Sequence, residues 1–188
     1  MKYVTFNLYP EAQIENYKNE IDSYNTFLRQ KSFGSSISEL QKIEALEKHM
    51  ETGIDIQGRS FNEVISKTIR VLGDSKSEFK SLDLYWGSDE TGLSRLDIEE
   101  AYVHFIGSEG IKKFNDLFED DCLTSSLKSA LKEYRSKSPD AEYLDLKGNV
   151  VSEEAIFNYY LENLVSLQNL FKKAKNNRKV IVVCSLSS

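Results

Sequence analysis

Proline, cysteine and histidine each occur only twice in the 188 residues. Each scarcity narrows the field. With only Pro10 and Pro139, long helices are permitted. Cys122 and Cys184 lie far apart, and a lone pair in a chain of this size is not a disulfide framework. The reading adopted is two reduced, buried thiols in a reducing compartment. His49 and His104, with two distant cysteines, give no zinc-ligand spacing. No metal or other cofactor is expected.

Long hydrophobic runs are also missing. No stretch approaches the ~20 apolar residues of a membrane span, and Val180 to Cys184 is about one strand long. The N-terminus lacks both the apolar run and the small-residue cleavage site of a signal peptide. A soluble, cytoplasmic protein is the expectation. Neither a glycine-rich phosphate loop nor a G-x-S-x-G elbow occurs. Repeats, low-complexity tracts and an obvious interdomain linker are absent from the sequence.

What is present suits one packed unit. Hydrophobic residues make up 40% of the chain, including ten Tyr and ten Phe, enough for a single core over residues 1–188. The expected fold class is α+β, predominantly helical, with a small sheet that pairs the N- and C-terminal strands. Lys2 to Tyr9 alternates as an opening strand does. Ile14, Tyr17, Ile21, Tyr24, Phe27 and Leu28 predict an amphipathic helix over 11–30. A second helix follows from Ser36 or Ser38 through Met50, with Gly53 at its C-cap. Ser60 and Glu63 form a capping-box pattern before a third helix that ends at Gly73. Leu82 to Trp86 alternates as a strand, and Gly87 to Ser94 reads as a loop. Tyr102 to Ile106 fits a strand or a helix end. Ser108 and Glu109 cap a helix through Phe118, and another covers Leu123 to Tyr134. The clearest element is the last helix. Ser152 caps it, Glu153 and Glu154 suit its positive end, and Lys172, Lys173, Lys175 and Arg178 suit its negative end. Asn176 and Asn177 break it, and Lys179 to Leu186 then reads as a buried strand.

The charge is unevenly spread. Residues 83–121 hold eleven acids against Arg95, Lys112 and Lys113, a net charge of −8 in a chain whose total is −6. Such a field attracts a basic partner and repels nucleic acid. Surface acids also serve solubility alone. Here their density and the intermixed Tyr85, Trp86, Tyr102, Phe114 and Phe118 favour an interface, where aromatic anchors combine with a charged rim. The candidate partner-binding residues are Asp83, Tyr85, Trp86, Asp89, Glu90, Asp97, Glu99, Glu100, Glu119, Asp120 and Asp121. Asp89, Glu90, Asp97 and Glu99 do not follow the EF-hand pattern, and a solvated acidic loop is the simpler reading of them. His104, near Tyr102 and the acids Asp97, Glu99 and Glu100, is the one candidate for a general base; a structural or solvent-facing histidine is the simpler reading. His49, beside Lys48 and Glu51, reads as a surface residue. The bases from Lys172 to Lys179 complement a helix end rather than bind phosphate.

Several segments carry a resemblance to a known family. Tyr159-Tyr160-Leu161-Glu162-Asn163-Leu164, then Leu167, Leu170-Phe171, Ala174 and the strand Val180 to Val183, resemble the closing helix and strand of the uncharacterised bacterial YfbM-like family. Ala101 to Ile106 followed by Ser108-Glu109-Gly110-Ile111 is similar to that family's strand and helix start, and Leu82 to Trp86 to its Leu-Asp-Lys-x-Trp segment. Some members sit beside secreted toxins, so the resemblance implies an immunity role. Together with the acidic stretch, it leads to the expectation of a non-enzymatic immunity or antitoxin protein. It would neutralise a basic toxin domain, for instance a nuclease, without binding nucleic acid or membrane itself. The alternatives are a small enzyme with a site around His104 and neighbouring acids, and an adaptor or phage protein that binds another host protein.

Overall fold

The computed structural model describes residues 3–19, 51–57, 64–75, 94–98, 101–119, 121–137 and 151–186. Five strands and four principal helices are seen in them. The strands are β1 (Tyr3–Pro10), β2 (Glu51–Gln57), β3 (Ser94–Ile98), β4 (Ala101–Ile106) and β5 (Lys179–Leu186). The helices are α1 (Ser66–Ser75), α2 (Ser108–Phe118), α3 (Leu123–Lys137) and α4 (Glu153–Asn177). A short 3-10 turn, Glu11–Gln13, leads into helical residues 14–19. This is the expected α+β architecture, predominantly helical, with both terminal strands in one sheet.

The sheet has the order β2-β1-β5-β4-β3 and every pairing is antiparallel. β5 lies at its centre, with Phe6 opposite Val183 and Leu8 opposite Ile181 on one side, and Phe105 opposite Val182 on the other. Val180, Ile181, Val182 and Val183 are all buried. Consecutive burial means that both faces are covered, which is why this strand reads as an unbroken apolar run rather than an alternating one. The β-branched side chains suit the pleated surface.

Alternation sorts the two faces. Phe6, Leu8, Ile106, Ile181 and Val183 join the helices in one hydrophobic cluster. Thr5, Asn7, Tyr9, Phe105, Val180 and Val182 are buried on the opposite face. There Tyr17 meets Tyr9 at 4.8 Å and Phe105 at 5.6 Å between ring centroids. Asn7 Nδ2 donates to Thr5 Oγ1 at 2.9 Å, so two buried polar groups satisfy one another.

Among the described residues α4 is the longest helix, and its N-cap is legible. Ser152 accepts a hydrogen bond from the Ala155 amide at 3.2 Å, and Glu153 and Glu154 occupy the first turn. The helix ends at Asn176 and Asn177 as expected, with both as its last helical residues. Arg178 ends it, in the left-handed region at φ 50° and ψ 50°, with its amide bonded to the Ala174 carbonyl. Glycine is the usual residue there, so the chain gave no standard stop signal at this position.

Other boundaries also shift. Gly107, extended and without a side chain to cap, precedes α2, so Ser108 is its first helical residue rather than its cap. α1 runs past Gly73 to Ser75, and α3 runs past Tyr134 to Lys137. Glu51–Gln57 is a strand, not the end of a helix capped at Gly53, because Val4 and Phe6 pair with Ile56 and Ile54. Ser94 opens β3 rather than closing a loop. Tyr102 to Ile106 is strand. The expected helical segments over 20–30 and 36–50, the Ser60–Glu63 capping box and the strand Leu82 to Trp86 lie outside the described residues.

Helix α2 packs on α4 through a phenylalanine cluster. Phe171 lies 4.8 Å from Phe114 and 5.7 Å from Phe118 between ring centroids. Two polar side chains fix the pairing. Buried Asn115 donates through Nδ2 to the Ile111 carbonyl at 2.8 Å and to the Phe171 carbonyl at 3.0 Å. Gln168 Nε2 donates to the Phe118 carbonyl at 2.7 Å. α1 is tied to α3 by Lys67, which pairs with Glu133, and Lys137 pairs with the same carboxylate at 2.9 Å. Hydrogen bonds from Lys67 and then Lys137 hold the Glu133 carboxyl below its ordinary range.

Replacing Asn115 by Ala removes both bonds and opens a small void. Urea denaturation should show a loss of about 1–3 kcal/mol, the range for a buried, satisfied polar group. Tyr159→Ala, at an exposed position on α4, should stay within about 0.5 kcal/mol of wild type. Equal effects would contradict the assigned packing.

Candidate functional site

The acidic stretch is spread over three kinds of local structure. Asp97 lies on β3, one of the two edge strands among the described residues, opposite Tyr102 of β4. Glu119 is the C-cap residue of α2 and Asp121 lies in the turn that follows; both are exposed. Within α2, Glu109 is exposed and pairs with Lys113 at 3.2 Å. Asp83, Tyr85, Trp86, Asp89, Glu90, Glu99, Glu100 and Asp120 lie outside the described residues.

Chain direction relates the described acids. Asn115 meets Phe171 while Phe118 meets Gln168, so α2 and α4 run antiparallel. α4 reverses at Arg178 into β5, and β4 is antiparallel to β5. α2 therefore doubles back along β4. Its C-terminal end returns toward the end of the sheet where Ile98 pairs with Ala101. Asp97 and the turn bearing Glu119 and Asp121 accordingly lie toward one end of the molecule.

Two aromatic residues of the stretch are not surface anchors. Phe114 is 0% exposed and Phe118 2%, and both belong to the hydrophobic cluster. The helical period explains this: with Ile111 and Leu117 they form the inner stripe of α2, and the acids take the outer positions. His104 stands on an interior strand, in register with Arg95 on one side and Val183 on the other. His49 is outside the described residues. Among the described residues no group of three His, Cys, Asp or Glu side chains is arranged to hold a metal. None of their helices is long and apolar enough to cross a membrane.

Cys122 departs from expectation. It is an exposed thiol rather than a buried one, because it precedes the first buried position of α3 and contributes its carbonyl to that helix start. The Ser126 amide and the Ser125 hydroxyl both donate to the Cys122 carbonyl at 2.9 Å.

A groove of about 530 Å³ lies between α3 and the first turn of α4. Lys128, Lys132 and Arg135 line one side, and Glu153, Ile156 and Phe157 the other. Lys128 Nζ sits 5.6 Å from the centroid of the Phe157 ring. The signal in the sequence was the Lys128–Lys132–Arg135 spacing, one face of a helix, but nothing there indicated which element it would face.

No protein-family model and no curated protein matches the chain. Among solved structures, the fold is similar to that of the crystal structure of YfbM from Escherichia coli, a protein of unknown function. The TM-score is 0.55 at 11% identity, covering 99% of this chain and 100% of that one. At this identity the likeness shows a shared fold. It agrees with the resemblance in the last helix and strand, and it carries no activity with it.

Exposure of Cys122 is directly testable. A thiol reagent such as iodoacetamide should modify it promptly in the native protein, without denaturant. Cys122→Ser should abolish this fast modification in peptide-mapping mass spectrometry. A protein that reacts at Cys122 only after unfolding would contradict the placement.

Proposed function

We propose that the chain is a binding protein of the immunity or antitoxin type, which neutralises a basic toxin domain by laying acidic side chains over it. The observation that carries this reading is the net charge of −8 over residues 83–121. A nuclease must gather substrate phosphates in a positive cleft, so an inhibitor rich in carboxylates gains both steering and complementarity. Residues Asp83, Asp89, Glu90, Asp97, Glu99, Glu100, Glu119, Asp120 and Asp121 supply the charge, with Tyr85 and Trp86 as anchors.

The exposure of Glu119 and Asp121 supports this, since a carboxylate must reach the partner to act. So does the return of α2 toward the hairpin end of β3 and β4, which brings separate parts of the stretch toward one side. The position of His104 on an interior strand favours a structural histidine over a general base. Binding rather than turnover is therefore the reading adopted, and a cytoplasmic location goes with it, where a producing cell meets its own toxin.

The test compares two triple reversals. Changing Glu119, Asp120 and Asp121 to Lys should weaken capture of a basic partner encoded beside this gene by at least about tenfold, as loss of several interface charges does. Thermal stability should change little, since exposed charges contribute little to it. Changing Glu11, Glu15 and Glu20 to Lys alters the net charge equally and should have a much smaller effect. Equal losses would assign the effect to net charge alone. Turnover of a small substrate that is lost in His104→Ala, with no protein partner, would replace this reading with an enzyme.

A further inference from the structure

The groove between α3 and α4 differs in sign from the acidic stretch and lies on other elements. Its rim on α3 carries Lys128 and Lys132, four residues apart and thus one above the other on the helix. Both are exposed, and among the described residues neither pairs with a carboxylate. Arg135, one turn further on, is committed to Glu153. The floor is apolar: Leu131 and Phe157 are half-buried and pack against the hydrophobic cluster, leaving part of each side chain open to the groove. Lys128 lies over the Phe157 ring, so one cation already covers the aromatic floor from the side.

These features specify an occupant. Lysines that pair with no carboxylate among the described residues call for an acidic ligand, and the half-covered Leu131 and Phe157 call for an apolar side chain. From Lys128 to Arg135 the rim is about 10 Å long, at the rise of an α-helix, which accommodates two turns of a partner helix. Glu154 stands on the opposite side, so carboxylates are favoured along α3 and disfavoured along α4. That asymmetry fixes the orientation of whatever binds.

We propose that this groove docks an acidic amphipathic segment of a partner protein, with an apolar side chain on Leu131 and Phe157 and carboxylates facing Lys128 and Lys132. The surface is separate from the acidic stretch and does not depend on the immunity reading. The chain then presents two surfaces of opposite charge. One selects a basic domain and the other an acidic segment, of the same partner or of another.

The probe is a labelled helical peptide of about sixteen residues with Leu at i, i+3 and i+4 and Glu along one flank of that stripe. Fluorescence anisotropy with the full chain should show saturable binding to this peptide and not to its Lys-for-Glu counterpart. Lys128→Glu combined with Lys132→Glu should weaken the Glu peptide at least roughly tenfold and allow the Lys peptide to bind, a charge swap that general misfolding does not produce. The Glu119, Asp120 and Asp121 reversal should leave peptide binding unchanged, which separates this surface from the acidic one. No binding, equal binding of both peptides, or Glu-peptide binding that survives the double reversal would overturn the proposal. Concentration-dependent dimerisation abolished by the double reversal would also overturn it, by making a second copy the occupant.

Discussion

Burial of β5 on both faces is the constraint on which the rest of the structure depends. Lys179–Leu186 lies at the centre of the five-stranded sheet, paired with β1 on one side and β4 on the other. Each fully buried Val or Ile contributes roughly 1.5–3 kcal/mol relative to exposure, but only if something covers it. Ile181 and Val183 require the helical layer of α2 and α4, and Val180 and Val182 require cover on the other face, to which Tyr17 contributes. The reversal at Arg178 makes this possible, since it turns α4 directly onto the strand that follows.

The same constraint sorts charge from core. In α2 the buried positions are taken by Gly110, Ile111, Phe114, Leu117 and Phe118, and by Asn115, whose amide donates to two carbonyls. Acids are left with the outer positions and the turn, where Glu109, Glu119 and Asp121 are exposed. α3 follows the opposite pattern: its outward residues include Lys128, Lys132 and Lys137. The switch in sign falls between Asp121 and Lys128, within about two helical turns. This division keeps the charged positions outside the core.

Legibility from sequence tracked how local the determinants were. α4 and β5 were readable because cap, apolar stripe and terminal charges all lie within the element, from Ser152 to Leu186. β2 was not. Glu51–Gln57 has a glycine and only two apolar residues, Ile54 and Ile56, and it becomes a strand because β1, far away in sequence, offers a partner. β3 is similar: Leu96 and Ile98 are its only apolar residues, and β4 supplies its register. At the candidate site, the acids' exposure at Glu119 and Asp121 followed from composition, whereas the burial of Phe114 and Phe118 required the helical period to be set against the facing helix. The α3–α4 groove was illegible because it arises from two elements whose contact no local pattern specifies.

The proposed binding depends on the acidic stretch steering a basic protein into complex. Its most direct measurement is the association rate constant of the purified pair as a function of ionic strength, by stopped-flow fluorescence. The account predicts that association slows by about one to two orders of magnitude between low and physiological salt, while dissociation changes by much less. An association rate independent of salt, with any loss of affinity residing in dissociation, would contradict it.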